Sequence, residues 1–459
     1  MKQSLRHMTV ALTASAILTT ALAGCGASEG STDKSGPGAI TAVTDDQLKG
    51  STLQMSNPFG NCPEAAGTNT DLSKAVGECA TLQTLVNKFN ADNKWGIKVQ
   101  RLGGSAWDSY YDALNTAFAG GNPPDVAVMH GSSLVDYAKR NLLVPLDDLA
   151  AITKLDTNDI APAAKTAIGY NDKTYAVPFD VHAILAHVNV DIFKAAGLID
   201  ATGKPKLPTS TEEFLADAKT VKEKTGKNFM AVARSGDQLG IHTLHSLMQQ
   251  QGGDFLNADG TKPTLDSPQA RTALSFLDEV FKSGYANGNQ TYDAAGQSFL
   301  NGDAAMLVNG TWVVDEYSKK AKFNYEATNF PTLYDKPAVW ADSHTWVIPK
   351  HADADPVKYR AAAEFLSFLN ANDSAWALGT GHIAAQKSVL NSAAYKAAPQ
   401  RANYADTGLS IARAVPHIAS WPAVAKAVRD SIESIWFQGR PVDQALKDGD
   451  NSINAALTK

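Results

Sequence analysis

Short apolar runs alternate with amphipathic segments along the chain between residues 50 and 149. The runs GSTLQMSNPF, GIKVQRL and PPDVAVMHGS have the length and composition of strands, the last of them buried. The intervening segments CATLQTLVNKFNADN, SAWDSYYDALNTAFAGG and SLVDYAKRNLLVPLDDL carry apolar residues at helical spacing. Strands that alternate with helices in this way form a mostly parallel sheet covered by helices. This pattern therefore predicts an α/β fold.

The second half of the chain contains the same mixture of elements. KTYAVPFDVHAILAHVN, NFMAVAR and HTWVIPK are predicted to be extended, and several strong helical segments lie between and after them. In open sheets of this kind, ligands bind beyond the carboxyl ends of the strands. The loops that follow the first three strands are therefore expected to face any binding site: Asn57–Thr70, Gly103–Asp108 and His130–Ser133.

Charge and motifs exclude several classes of function. The 459-residue chain has a net charge of -6 and a pI near 5.9, whereas a general nucleic-acid surface shows a basic excess. No nucleophile elbow, phosphate-binding glycine loop or zinc-protease helix motif occurs. His242 and His245 share a predicted helix without a third ligand nearby, so we interpret them as surface or core residues. Neither a metal nor a cofactor is predicted.

The N-terminus has the pattern of a secretory signal. Residues 1–24 begin with positive side chains and continue with an apolar or small run from Met8 to Ala23, which is too short for a comfortable membrane span. The sequence LAGC, which ends at Cys25, resembles a bacterial lipobox, in which the cysteine thiol receives a diacylglycerol. The alternative is an ordinary signal peptide with an incidental Cys25. Residues 25–49 begin with a polar, Gly/Ser-rich stretch and are predicted to form a flexible tether.

Only two other cysteines occur, Cys62 and Cys79. On the exported, oxidising side of the membrane an even remainder favours a disulfide, which by the chain-entropy relation stabilises a loop of this length by about 3 kcal/mol. Two free thiols are the alternative. Neither cysteine has a His or Cys at the spacing of a metal site.

Several tryptophans lie where the chain changes direction rather than within periodic apolar faces. Trp107 begins a predicted helix, Trp312 follows an Asn-Gly pair, and Trp421 precedes a proline. An aromatic plate beside polar side chains matches the apolar face and hydroxyl edge of a sugar. The alternative for each is a place in the core.

Five segments resemble, in the right order, the extracellular solute-binding proteins of ABC importers, the carbohydrate-binding group that includes maltose-binding protein. They are GGNPPDVAVMHGSSLVDYAKRNLLVPLDDL, YNDKTYAVPFDVHAILAHVNVDIFKAAGL, LPTSTEEFLADAKTV, FLNGDAAMLVNGTW and GTGHIAAQKSV. The resemblance runs from about residue 50 to the C-terminus. Four positions depart from the usual family residue: Asn141, Val188, Thr211 and Ala384.

The resemblance implies a two-lobed periplasmic-binding-protein-like α/β fold of type II. Its lobes are discontinuous, are joined by a hinge and close on a ligand. It implies crossings near Val181–Ala183, Asn329–Pro331 and Asn372. The N-terminal lobe would comprise residues 50–181 and 330–372, and the C-terminal lobe residues 182–329 and 373–459.

The resemblance also implies binding residues. Trp312 stands at the aromatic position of the Gly-x-Trp motif, and Trp421 falls where a tail helix of maltose-binding protein carries a stacking aromatic. His182 occupies a hinge position that is acidic in maltose-binding protein, and an imidazole there can donate or accept. Asp180 is expected to accept hydrogen bonds from hydroxyls. The remaining predicted contacts lie on loops: Asn57, Trp107, His130, Gly131, Ser132, Ser343 and His344.

The function implied is capture without chemistry. The chain would bind a carbohydrate, most simply an oligosaccharide, and deliver it to ABC permease subunits as a monomer held at the outer membrane face by lipid on Cys25. One alternative is a binder of a glycerol phosphodiester or polyol, for which Arg contacts would be needed. The other is a secreted polysaccharide-active enzyme, since glycosidase carboxylates need not be near in sequence.

Overall fold

The structure is a computed structural model that describes residues 37–60, 62, 67–103, 107–234 and 238–458. None of the helices within these ranges is both long and apolar enough to cross a bilayer. The α-helices are, in chain order, α1 Pro37–Thr41, α2 Asp45–Leu48, α3 Glu78–Asp92, α4 Trp107–Ala119, α5 Gly131–Lys139, α6 Ala150–Thr153, α7 Pro162–Thr166, α8 Val190–Ala196, α9 Thr211–Thr225, α10 Leu239–Gln250, α11 Pro268–Lys282, α12 Tyr292–Leu300, α13 Val314–Lys320, α14 Pro356–Ala371, α15 Asp373–Thr380, α16 Lys387–Leu390, α17 Ala393–Ala397, α18 Trp421–Gln438 and α19 Val442–Leu457.

The strands form two main sheets and one short hairpin. In chain order they are β1 Thr52–Ser56, β2 Lys98–Arg101, β3 Val126–His130, β4 Gly169–Tyr170, β5 Lys173–Thr174, β6 Ala176–Pro178, β7 His182–Asn189, β8 Asn228–Val232, β9 Ala304–Gly310, β10 Tyr325–Asn329, β11 Val339–Asp342, β12 His344–Val347 and β13 Ala412–Ala414. The first sheet has the order β2-β1-β3-β12-β6. Its first three strands are parallel, as the alternation predicts, and β12 and β6 join antiparallel to their neighbours.

The second sheet has the order β13-β11-β7-β9-β8, with β10 also paired to β7. Its central strand β7 is buried over all eight residues, and β9 beside it over all seven. Strands that are apolar on both faces need cover on both sides, which helices provide here. Helix starts follow the sequence signals: the Ser210 and Ser267 side chains accept hydrogen bonds from backbone amides in the first turns of α9 and α11.

The chain passes between the two sheets at short, well-defined points. β6 belongs to the first sheet and β7 to the second, so one passage spans residues 179–181, close to the predicted crossing at Val181–Ala183. The second passage is Ser343, between β11 and β12. The predicted crossing at Asn329–Pro331 is therefore too early, because β11 pairs with β7 and β13 in the second sheet.

The boundary predicted near Asn372 also needs correction. Trp376, on α15, is fully buried in the core cluster of the first lobe, and its ring stacks on Phe179 at 4.2 Å. After α15 the chain runs beside the first passage, where Ile383 forms an antiparallel bridge with Val181. The passages therefore lie side by side, as a hinge of more than one segment requires.

The predicted tether of residues 25–49 is too long at its C-terminal end. α1 and α2 lie within it, and Ile40, Val43 and Leu48 are buried in the core cluster of the first lobe. Burial of three aliphatic side chains outweighs the polar composition of the stretch before them. Cys25 and the predicted signal residues 1–24 lie outside the described residues.

A disulfide joins Cys62 to Cys79, as predicted. Cys79 lies in the first turn of α3, so the bond ties the loop after β1 to that helix. This loop is one of the three that the sequence predicts to face the binding site.

One buried histidine of the second lobe predicts a pH dependence of stability. His187, on β7, is fully buried, and its Nδ1 lies 2.6 Å from the Tyr325 hydroxyl. Burial lowers the pKa of His187 to about 4. Because the unfolded chain binds the proton more strongly, stability is complete above about pH 6.5 and is lost as the pH falls toward 4.

Between pH 7.5 and 5.5, we expect His187 to reduce the free energy of unfolding by about 1.4 kcal/mol. Urea denaturation of the wild type and His187→Gln at both pH values measures this contribution. The difference in stability between the two proteins should shrink by that amount at pH 5.5. A stability difference that does not change with pH would show that burial does not lower the pKa of His187.

Candidate ligand-binding site

Two strand pairings bring three histidines together where the sheets meet. His344, the first residue of β12, pairs with His130, the last residue of β3. His182, the first residue of β7, pairs with Asp342 at the end of β11. The rings of His182 and His344 stack with centroids 4.1 Å apart, and His130 lies 5.4 Å from His182 and 5.2 Å from His344. Three of the predicted binding residues therefore form one cluster.

Asp180 forms hydrogen bonds with two of these histidines. It is fully buried, and its Oδ1 accepts hydrogen bonds from the His182 Nδ1 at 3.1 Å and the His344 backbone amide at 3.0 Å. Its Oδ2 accepts from the His344 Nδ1 and the Trp376 Nε1, both at 2.8 Å. Because a carboxylate only accepts, the Nδ1 of both histidines carries the hydrogen. A sugar hydroxyl would have to displace one of these bonds, so we assign Asp180 a positioning role.

The charges of the cluster shift its pKa values in opposite directions. Burial alone would raise the pKa of Asp180, but His344 and His382 and the hydrogen bonds from His182 and His344 hold it well below its usual range. Burial lowers the pKa of His182 and, more strongly, that of His130, and the neighbouring imidazoles add to the effect. The carboxylate is therefore ionised near neutral pH, and His130 and His182 are neutral.

Aromatic rings from both lobes surround the imidazoles. Trp107, at the start of α4, stacks on His344 at 5.2 Å and lies 4.1 Å from His130. Across the hinge, Trp340 of β11 and Trp312 lie 5.8 and 6.1 Å from His182. Trp107 and Trp312 are only partly buried. Two predicted tryptophans therefore lie on opposite lobes beside the same polar cluster.

The orientation of Trp312 depends on Gly310. A Cβ atom at residue 310 would lie 2.1 Å from the indole, so only glycine lets the ring fold back over the strand end. The indole Nε1 donates to the Tyr292 hydroxyl at 2.9 Å, which fixes its edge. The Gly-x-Trp motif therefore encodes the position of this ring.

The remaining predicted residues differ in accessibility. Asn57 is buried and accepts a hydrogen bond from Arg101 at 2.9 Å, and Ser343 is buried and donates to the Asp180 carbonyl at 2.6 Å. Gly131 packs on Ala167 so closely that a Cβ would lie 2.2 Å away. The partly buried Ser132 donates its backbone amide to Asp342. Gly131, Ser132 and Ser343 adjoin the cluster, whereas Asn57 accepts the Phe59 backbone amide and so supports the residue whose ring lies 5.0 Å from His344.

Trp421 stands apart from the others. It begins α18, is 8% exposed, and lies in the large apolar cluster of the protein. It makes no ring contact with another aromatic or histidine among the described residues. Its role in ligand stacking stays a prediction.

The sequence matches a known family of proteins. The profile of the family described as bacterial extracellular solute-binding protein matches residues 84–403, well over half of the chain. The chain belongs to this family. The predicted resemblance to extracellular solute-binding proteins is confirmed, and lipid attachment at Cys25 stays a prediction.

Individual relatives agree with this assignment. The sn-glycerol-3-phosphate-binding periplasmic protein UgpB of Escherichia coli K12 is 24% identical over 393 residues, which cover 80% of this chain and 86% of that protein. Among solved structures, the GacH receptor of Streptomyces glaucescens has a TM-score of 0.74 at 19% identity, with 89% of this chain and 99% of that chain covered. UgpB from Mycobacterium tuberculosis in complex with glycerophosphocholine has a TM-score of 0.72 at 20% identity and covers 89% and 98%. The two-lobed fold is confirmed, and the chain is a bacterial extracellular solute-binding protein.

Several residues of this solute-binding protein's site were not predicted. His382 is fully buried, with its Nε2 2.8 Å from Glu78 and its Nδ1 3.0 Å from the Thr311 hydroxyl. Burial alone would lower the pKa of His382, but Asp180 and Glu78 raise it above its usual value. His382 lies in the GTGHIAAQKSV segment, so the family motif marked its position without revealing its partners.

The two histidines that share α10 have different surroundings. His245 is buried, stacks on Phe255 and lies 2.8 Å from Asp254, which is a core position as interpreted from the sequence. The partly buried His242 instead stacks on Trp340 at 3.5 Å, with the rings 6° from parallel. It thereby extends the aromatic wall of the site. Its place could not be seen from the helical spacing.

Proposed function

We propose that this solute-binding protein captures a carbohydrate between its lobes and releases it to the permease of its importer. The observation that carries the proposal is the pairing of partly buried indoles, Trp107 and Trp312, on opposite lobes beside hydrogen-bonding imidazoles. Sugar rings present apolar C–H faces to indoles and hydroxyls to polar groups. The GacH receptor, which binds acarbose, supports the proposal as a relative in fold.

A glycerol phosphodiester or polyol is the second candidate, and the two UgpB relatives favour it. The charges described at the site do not favour a phosphate. The residues with a formal negative charge are Asp180, Asp342 and Glu78, and an anion placed among them would be repelled. Arg101, on β2, is engaged by Asn57, Gly60 and Gln83. We therefore favour a neutral, hydroxyl-rich ligand.

Hinge closure follows from how the site is built. Each lobe supplies part of the site, and Asp180 and Ser343, which lie in the passages between the lobes, form hydrogen bonds within it. A ligand that contacts both lobes binds the closed arrangement more tightly than the open one and so shifts the population toward it. The closed arrangement is what the permease subunits would recognise. We infer that the protein releases its ligand intact and is not an enzyme, because the family and the UgpB relatives are described as binding proteins.

We infer that the chain acts on the outer face of the cell membrane as a monomer. The description of the family as extracellular supports a location outside the cell, and the LAGC sequence supports lipid attachment at Cys25. A diacylglycerol supplies two acyl chains, which is enough for stable anchoring, whereas one chain is not.

A thermal-shift panel tests the proposal. It contains monosaccharides, α- and β-linked oligosaccharides, sn-glycerol-3-phosphate and glycerophosphocholine, with product analysis after each incubation. A bound sugar at 100 times its Kd should stabilise the protein by about 2.7 kcal/mol and be recovered intact. Stabilisation only by the phosphate compounds would replace the carbohydrate with the second candidate. Hydrolysis of an oligosaccharide would show an enzyme.

A further inference from the structure

The three clustered histidines share a feature that sugar binding does not require. One ring nitrogen from each of His130, His182 and His344 lies within 4.8 Å of the corresponding atoms of the other two. The Nδ1 atoms are already engaged, by Asp180 for His182 and His344 and by the Tyr111 hydroxyl at 3.0 Å for His130. No hydrogen-bond partner of the three Nε2 atoms occurs within the described ranges. Each of the three clustered histidines therefore keeps one ring nitrogen that is free to bind a metal ion.

We propose that His130, His182 and His344 form a binding site for a divalent transition-metal ion, Zn²⁺ in the first instance, at the junction of the two lobes. Neutral imidazole nitrogens suit Zn²⁺ and its neighbours in the first transition row. Three protein ligands with a fourth, open position form the common arrangement of non-structural zinc sites.

The surroundings of the rings are those of metal-binding histidines. Such histidines donate their second ring nitrogen to a carboxylate or another oxygen, which fixes the tautomer and turns the remaining nitrogen toward the metal. Asp180 performs this role for two rings at once, since each of its oxygens accepts one Nδ1 hydrogen. The Tyr111 oxygen, which also accepts the His130 backbone amide at 2.8 Å, can accept the His130 Nδ1 hydrogen.

The charge balance also fits a dication. Asp180, Asp342 and Glu78 are carboxylates in or beside the cluster, so part of the charge of Zn²⁺ is compensated without a fourth protein ligand. The distances between the three ring nitrogens must shorten on metal binding, because Zn–N bonds of 2.0–2.1 Å place tetrahedral nitrogens about 3.4 Å apart. The rings must therefore close by roughly 1 Å, and this would draw β3, β12 and β7 together.

A second set of possible ligands, Glu78, His344 and His382, carries less weight. Both nitrogens of His382 already have protein partners, Glu78 and Thr311, so binding there would break existing hydrogen bonds. Because both sets include His344, the two sets cannot each hold an ion through this residue in the proposed site. In the first set, each histidine keeps one ring nitrogen, Nε2, without a hydrogen-bond partner in the described part of the chain.

Metal analysis of the full chain, purified without an affinity tag, tests the site. Protein stripped with a chelator is incubated with ZnCl₂, desalted and assayed for zinc by mass spectrometry, in the absence of any sugar. We expect about one Zn²⁺ per chain for the wild type and below about 0.2 for His130→Gln. The matched control is His351→Gln, an imidazole beside Asp125 that belongs to neither set of possible ligands and should retain about one. Circular dichroism checks that each variant is folded.

If His130→Gln does not fold, His182→Asn serves as the second variant with the same expected loss. Cobalt-loaded wild type should show the visible absorption of a tetrahedral site, and this absorption should be lost in the ligand variant. Less than about 0.2 Zn²⁺ per wild-type chain, or stoichiometric zinc that survives both ligand substitutions, would overturn the proposal. Because no sugar is present, failure here leaves the carbohydrate proposal to its own panel.

Discussion

Asp180→Ala is expected to lower the free energy of unfolding by about 3–5 kcal/mol, the largest effect of any single substitution considered. The carboxylate accepts four hydrogen bonds, from His182, from the amide and ring of His344, and from Trp376. Alanine leaves these buried donors without an acceptor. Because His182 begins a strand of one sheet and His344 a strand of the other, the loss falls on the junction of the lobes.

Urea denaturation followed by circular dichroism measures this effect. Asp303→Ala is the matched control, because Asp303 forms a half-exposed ion pair with Lys227 at 3.0 Å and should cost less than about 1 kcal/mol. Asp180→Asn keeps the shape of the side chain but replaces one acceptor with a donor, so its stability should fall between wild type and alanine. An Asp180→Ala protein as stable as the Asp303→Ala control would contradict the positioning role.

Trp312→Ala is expected to weaken binding of the best carbohydrate about 30- to 100-fold, or about 2–3 kcal/mol. The indole provides a broad apolar plate that alanine cannot replace, and such rings dominate binding energies. Trp312→Phe keeps a plate and should lose less than about tenfold. Isothermal titration calorimetry measures the affinities.

Gly310→Ala tests the orientation of the ring without removing it. Residue 310 has an extended backbone that alanine tolerates, but its Cβ would lie 2.1 Å from the indole. We expect a loss of affinity of about tenfold or more, since the ring must move. Tyr292→Phe removes only the hydrogen bond to Nε1 and is the milder control. Wild-type affinity in both Trp312→Ala and Gly310→Ala would remove this ring from the binding site.

Much of the fold could be predicted from local sequence patterns. β1 to β3 and the helices between them follow the alternation of apolar runs and amphipathic segments, and the helix starts at Ser210 and Ser267 follow capping signals. β11, Val339–Asp342, was not predicted as a separate strand. Its pairing with β7 is non-local, and this error moved the predicted crossing from Ser343 to Asn329–Pro331.

The contacts within the binding site also could not be predicted from local sequence patterns. His130, His182 and His344 were each predicted as ligand contacts from loop position or family motif, but no local pattern indicates that their rings pack against one another. Their meeting depends on the pairing of β12 with β3, elements more than two hundred residues apart, and on Asp180 accepting from both sheets. Local periodicity carries no information on such register. Trp340 and His242 were missed for this reason.

The proposed function requires a carbohydrate to bind between the two lobes. A crystal structure of the protein with the best sugar from the panel tests it most directly. We expect the sugar to contact both lobes, with ring faces within about 4 Å of Trp107 or Trp312 and hydroxyls hydrogen-bonded to the histidine cluster. A sugar bound on the surface of a single lobe, away from Trp107, Trp312 and the three histidines, would contradict it.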